Sequence, residues 1–112
     1  MNKTIYLLRV EHKSEDLEMC VNEVFAYSSR EVAAKAWNDV VEHLFSEDGS
    51  LGGSGDVYTR HNDEHDPAYT TEENIDKLTF HFHENYMFSE WDIIVEETKL
   101  DATNYNVLSC VE

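Results

Sequence analysis

Ser28-Ser29-Arg30-Glu31-Val32-Ala33-Ala34-Lys35-Ala36-Trp37-Asn38-Asp39-Val40-Val41-Glu42-His43-Leu44 is the stretch from which the fold is read. Its first four residues have the form of a capping box. Ser28 accepts from a backbone N–H of the first turn, and Glu31 reaches back to the Ser28 N–H. Behind it Ala33, Ala36, Trp37, Val40, Val41 and Leu44 recur at three- and four-residue spacing. That spacing predicts an amphipathic helix over about 29–45. Glu31–Lys35 is an i,i+4 pair in the favourable orientation, and Lys35–Asp39 is the reverse one. A helix with one apolar stripe must bury it, and the flanking segments predict the sheet that receives it.

Upstream, Ile5, Tyr6, Leu7, Leu8 and Val10 make 3–12 a β-prone run that is apolar on both faces in its middle. After the polar Lys13-Ser14-Glu15-Asp16, residues 19–27 alternate, with Met19, Val21, Phe25 and Tyr27 on one side and Cys20, Asn22, Val24 and Ala26 on the other. The two segments are expected to pair as an antiparallel hairpin. Downstream, Leu78, Phe80 and Phe82 alternate with Thr79, His81 and His83 over 77–83. Trp91, Ile93 and Val95 alternate with Asp92, Ile94 and Glu96 over 91–98. The segment 46–76 holds all four glycines and reads as a flexible acidic insertion. Within it Val57 and Tyr58 suggest a short strand, and Thr70-Thr71-Glu72-Glu73 reads as the cap of a helical turn ending near Asp76. The expected architecture is one α+β domain over 1–112. It is a mainly antiparallel four-stranded sheet with one helix on one face, in the order β-β-α-(acidic loop)-β-β. Tyr105, Val107, Leu108 and Val111 suggest that the tail packs as well.

Composition narrows the function classes. The 112 residues carry 24 acids against 8 bases, a formal net charge of -16. Residues 46–76 alone hold nine acids and one base, Arg60, which is half of the total charge in 31 residues. A chain of this sign lacks the clustered Lys and Arg with which proteins bind nucleic acid or an anionic membrane. Charge concentrated in one segment marks a surface with a sign, at a cost in self-repulsion. The opening Met1–Val10 is interrupted at Arg9 and has no small-residue cleavage site, so no signal peptide is expected. No window reaches the length of a membrane span. A cytoplasmic location follows as the expectation, with Cys20 and Cys110 as free thiols.

Catalytic patterns are missing from the sequence. There is no Gly-x-Ser-x-Gly elbow. The Gly49–Gly55 stretch lacks the Lys-Ser/Thr ending of a phosphate loop, and Asp48 and Asp56 do not make a calcium loop. A non-enzyme without a cofactor is expected. Six histidines raise one chemical alternative. His81 and His83 share a strand face, and His61 and His65 flank Asp63 and Glu64, so these four are the candidate ligands for a divalent metal. Aromatic residues Tyr86, Phe88 and Trp91 lie beside Glu84, Glu90 and Asp92 around an expected turn, the make-up of a protein interface.

The small size, the charge of -16 and the runs Glu47-Asp48, Asp63-Glu64-His65-Asp66, Glu72-Glu73 and Glu96-Glu97 give the chain its character. An N-terminal hairpin, a helix opened by Ser-Ser-Arg-Glu and a late strand ending in acids complete it. In these respects the chain resembles the small acidic inhibitors encoded by phages and mobile elements, of the anti-CRISPR and DNA-mimic type. The resemblance implies a non-enzymatic protein that occupies a basic, nucleic-acid-binding site on a partner such as a CRISPR effector, in the cytoplasm of a bacterial host, as a monomer or dimer. Carboxylates would stand in for phosphates. Asp92 and Glu96 would supply one strand face, Glu84 and Glu90 its approach, and Asp63, Glu64, Asp66, Glu72 and Glu73 the loop side. Tyr86 or Phe88 would add an apolar anchor. The alternatives are a non-inhibitory interaction module and a metal-binding domain built on His61, His65, His81 and His83.

Overall fold

Period-two alternation builds the sheet, and its register places the acids of the strands. The computed structural model describes residues 3–14, 21–52, 58–85 and 89–100. It contains β1 (Lys3–Ser14), β2 (Val21–Tyr27), α1 (Arg30–Leu44), β3 (Tyr69–Asn74), β4 (Thr79–Glu84) and β5 (Ser89–Leu100). The fold is α+β, and the described residues form one helix and a five-stranded sheet in the order β2-β1-β5-β4-β3. Each neighbouring pair is antiparallel. The last strand returns to the centre. It pairs with β1 from Lys3↔Leu100 to Ser14↔Ser89 and with β4 on its other side.

The sheet has five strands rather than four because Tyr69–Asn74, expected as a helical turn, is a strand paired with β4. Two adjacent acids disguised it. At a sheet edge exposed charges are tolerated and discourage pairing with other chains, so Thr70, Glu72 and Asn74 point outward while Tyr69 enters the core. The order is therefore β-β-α-β-β-β, and the described parts of 46–76 are bonded to the body of the domain. The Leu51 amide donates to the Leu44 carbonyl at 2.9 Å and its side chain is buried. Gly49 lies so close to the His43 and Leu44 carbonyls that a Cβ would overlap them, which is why this wrap needs glycine. Tyr58 packs edge-on against Tyr69 and Phe82 without forming a strand.

The helix begins one residue later than its capping pattern suggests. Ser29 is the N-cap: its hydroxyl accepts from the Val32 amide at 3.2 Å and donates to the Glu31 carboxylate at 3.1 Å. Glu31 thus sits one position short of where a capping box needs it. With Glu31 turned to the cap, Lys35 pairs with Asp39 at 2.7 Å. Ala33, Trp37, Val41 and Leu44 are buried, as their spacing predicts. Trp37 and Val41 join Leu8, Val10, Phe80, Phe82 and Ile93 in the core. The Trp37 indole N–H donates to the Ile93 carbonyl at 2.8 Å and satisfies its one polar atom inside that core.

Among the described residues no helix is long and apolar enough to cross a membrane. Cys20, Val57, Cys110 and the tail residues Tyr105, Val107, Leu108 and Val111 lie outside the described residues.

Candidate partner-binding surface

One face of the sheet is taken by α1 and the other carries no described helix. Because side chains alternate, the residues between the core positions project to that second face. It receives Arg9, Glu11 and Lys13 from β1, Glu90, Asp92 and Glu96 from β5, His81 and His83 from β4, and Glu72 from β3. Its other end is apolar, where Ile5 and Ala26 are buried.

Register turns these into rows across the strands. Glu72 is opposite His81, His81 opposite Asp92, and Asp92 opposite Glu11. In the next row Thr70 is opposite His83, His83 opposite Glu90, and Glu90 opposite Lys13. Neighbouring strands lie about 4.8 Å apart and residues two apart on a strand about 7 Å. The carboxylates thus form one field. Its members are also oriented. His81 Nδ1 lies 2.6 Å from Asp92 Oδ1, and His83 Nδ1 lies 3.1 Å from Glu90 Oε1. The two imidazoles are parallel, 6.5 Å apart at 7°. Arg9 Nε donates to Glu96 at 3.0 Å.

The loop that precedes β3 is shaped by its own side chains. Asn62 donates through Nδ2 to the Asp66 and Tyr69 carbonyls, each at 2.9 Å, and accepts from the Asp66 amide at 2.9 Å. Asp66 accepts from the Ala68 amide at 2.9 Å, and His65 takes a positive φ of 56°. The turn leaves Asp63 and Glu64 exposed and Asp66 half-buried. The one base of 46–76 faces inward. Arg60 is only 14% exposed, bonded to Glu73 at 2.6 Å and to Asn38 at 2.8 Å, and its guanidinium lies over the Trp37 ring at 5.5 Å.

Not every acid expected at a partner surface reaches it. Glu72, Glu90, Asp92 and Glu96 share the open face, and Asp63 and Glu64 project from the loop. Glu73 points to the helix side and is 9% exposed, held by Arg60 with His61 Nε2 at 3.4 Å. Glu84 is buried at 8%. Both are members of the interior because β3 and β4 put them on the core side of the pleat. Tyr86 and Phe88 lie outside the described residues. Trp91 is buried and stacks on His12 at 4.1 Å, so it closes the core. The face also gains residues that sequence reasoning left out. Glu11 joins Asp92 across the strands, and His81 and His83 join carboxylates. Alternation put all three on polar faces, but only the strand order brings them together.

Among the described residues no three of His, Cys, Asp and Glu are placed to share a metal ion. His61 sits beside Glu73 while His81 and His83 stand on the open face, so the metal alternative has no converging ligand set behind it. Compared with known proteins, the chain matches no family model, no curated protein and no solved structure.

Proposed function

We propose that the protein is a non-enzymatic acidic binding protein that occupies a basic, nucleic-acid-binding site on a partner protein, acting as an inhibitor of the anti-CRISPR or DNA-mimic kind. The observation that carries this reading is the field formed by Glu11, Glu72, Glu90, Asp92 and Glu96 on the sheet face that carries no described helix, with Arg9 and Lys13 on β1 and Lys77 in the β3–β4 turn as cations beside them. The inward turn of Arg60 supports it, since the acids of its loop then face a partner without a neutralising neighbour. A sheet face suits the role. It holds charges at the roughly 7 Å strand repeat without side-chain crowding, a spacing compatible with successive phosphates. Charge of this kind speeds encounter with a basic groove and makes the complex salt-sensitive.

The test is capture of partners from a bacterial lysate at about 0.1 M and about 0.5 M salt, where screening becomes strong. The wild type is compared with a Glu72→Gln, Asp92→Asn, Glu96→Gln variant. The expected result is a nucleic-acid-binding protein retained at low salt, released at high salt and lost by the variant. Equal capture by both proteins, or no capture of a basic protein, overturns the reading.

A further inference from the structure

Two of the central carboxylates on the open face, Asp92 and Glu90, are each bonded to a histidine. An ionised carboxylate only accepts, so each bond requires a proton on Nδ1, and a second proton, on Nε2, makes the imidazole cationic. With the imidazole neutral, each pair carries one negative charge. With the imidazole protonated, each pair carries none, and the same hydrogen bond becomes charge-assisted by both partners. We propose that His81 and His83 make the acidic face pH-gated, so that their protonation neutralises Asp92 and Glu90 in place and releases a cationic partner. This rests on the acidic-binding reading above and adds its regulation.

Histidine changes charge between about pH 5 and 8. The titratable and charged groups that face the pair come from three strands and one turn. On β5 these are Asp92 and Glu90, and on β3 Glu72 stands opposite His81, with uncharged Thr70 opposite His83. One strand beyond β5 lie Glu11 and Lys13, and Arg9 is already engaged by Glu96. In the β3–β4 turn Lys77 lines the same hollow as Glu72, His81 and Asp92 and opposes protonation there. The helix packs on the other side of the sheet. Strand β4 lies between β3 and β5, so both charges appear between the carboxylates of its two neighbours.

The experiment measures binding of an oligolysine peptide to the whole chain by titration calorimetry at about pH 8 and about pH 5.5, the limits between which histidine titrates. Wild type should weaken about tenfold at the lower pH, two surface charge pairs being lost. A His81→Gln, His83→Gln variant retains a side-chain donor for each carboxylate but does not titrate, and its affinity should change less than about twofold. A His61→Gln, His65→Gln variant should keep the wild-type response. Nuclear magnetic resonance of the wild-type imidazole protons gives a check that needs no variant. The protonation midpoints of His81 and His83 should coincide with the midpoint of affinity loss. Equal pH dependence in wild type and the His81→Gln, His83→Gln variant, or midpoints that do not coincide, overturns the gate while leaving the acidic-binding reading intact. Failure of the peptide to bind at about pH 8 overturns both.

Discussion

Arg60 shows how one residue sets the sign of a surface. Its guanidinium is held by Glu73, Asn38 and the face of Trp37, with Glu42 at 3.5 Å, so it ties the loop before β3 to both the helix and the sheet. Removing one member of a buried pair leaves the other without compensation. Arg60→Met should therefore cost about 3 kcal/mol in denaturant unfolding, whereas Arg60→Met with Glu73→Leu should cost less than the single change. A double variant as unstable as the single one would show that packing, not charge, is what Arg60 supplies. Lys35 gives a second residue-scale test. The hydrogen bond that Lys35 donates to Asp39, together with the carboxylate's charge, holds the Lys35 ammonium above the ordinary lysine value of 10.5. A raised folded value stabilises below the ordinary one and is lost as pH rises through the folded one. The difference in melting temperature between wild type and Asp39→Asn should be present at neutral pH and vanish in the alkaline range. It should also be small, because the pair is exposed.

At the scale of elements, α1 and β3 show two ways in which local pattern and structure part. The helix exists and faces as its spacing dictates, because six apolar positions on one stripe outweigh any detail at its end. Its first residue is decided by which serine can reach an amide. Ser29→Ala should cost about 1 kcal/mol, and Ser28→Ala should fall within a few tenths. Equal losses at both positions in thermal unfolding would mean that the two hydroxyls share the cap. In β3 the order of influence is reversed. Thr70, Thr71, Glu72 and Glu73 carry a local helix-start signal, but pairing with β4 satisfies their backbone and buries Tyr69. Burial of an aromatic side chain and a ladder of backbone bonds outweigh a cap.

For the whole molecule, charge is the dominant variable. A net charge of -16 repels itself in the folded state, and the open face concentrates part of it. Salt shortens the range of that repulsion from about 30 Å at 0.01 M to about 10 Å at 0.1 M. The melting temperature should rise with sodium chloride over that range. Neutralising exposed acids of the loop and the field should stabilise the fold while weakening the partner complex, the opposite signs that separate a functional charge from a structural one. Asp63→Asn with Glu64→Gln and Glu72→Gln is the variant for this comparison. A fall in stability would mean that these acids hold the loop together. Glu73 and Asp66 are left out because they bond to Arg60 and to the Ala68 amide.

The amino-acid sequence alone determined the single helix and its buried stripe, the alternation in four strands, the α+β class and the concentration of acid in the middle of the chain. These are local properties, set by periods of 3.6 and 2 and by composition, and they do not depend on which strand lies beside which. Tertiary structure decided the rest. The central position of β5 between β1 and β4 joins Glu11, Asp92 and His81 in one row, although they come from opposite ends of the chain. The same pleat that sends Glu72 outward sends Glu73 and Glu84 inward, so neighbouring acids of equal appearance become a surface charge, an ion pair and a buried carboxyl. Pairing partners are chosen by the burial of the whole sheet against one helix, a sum over distant residues that no local window contains.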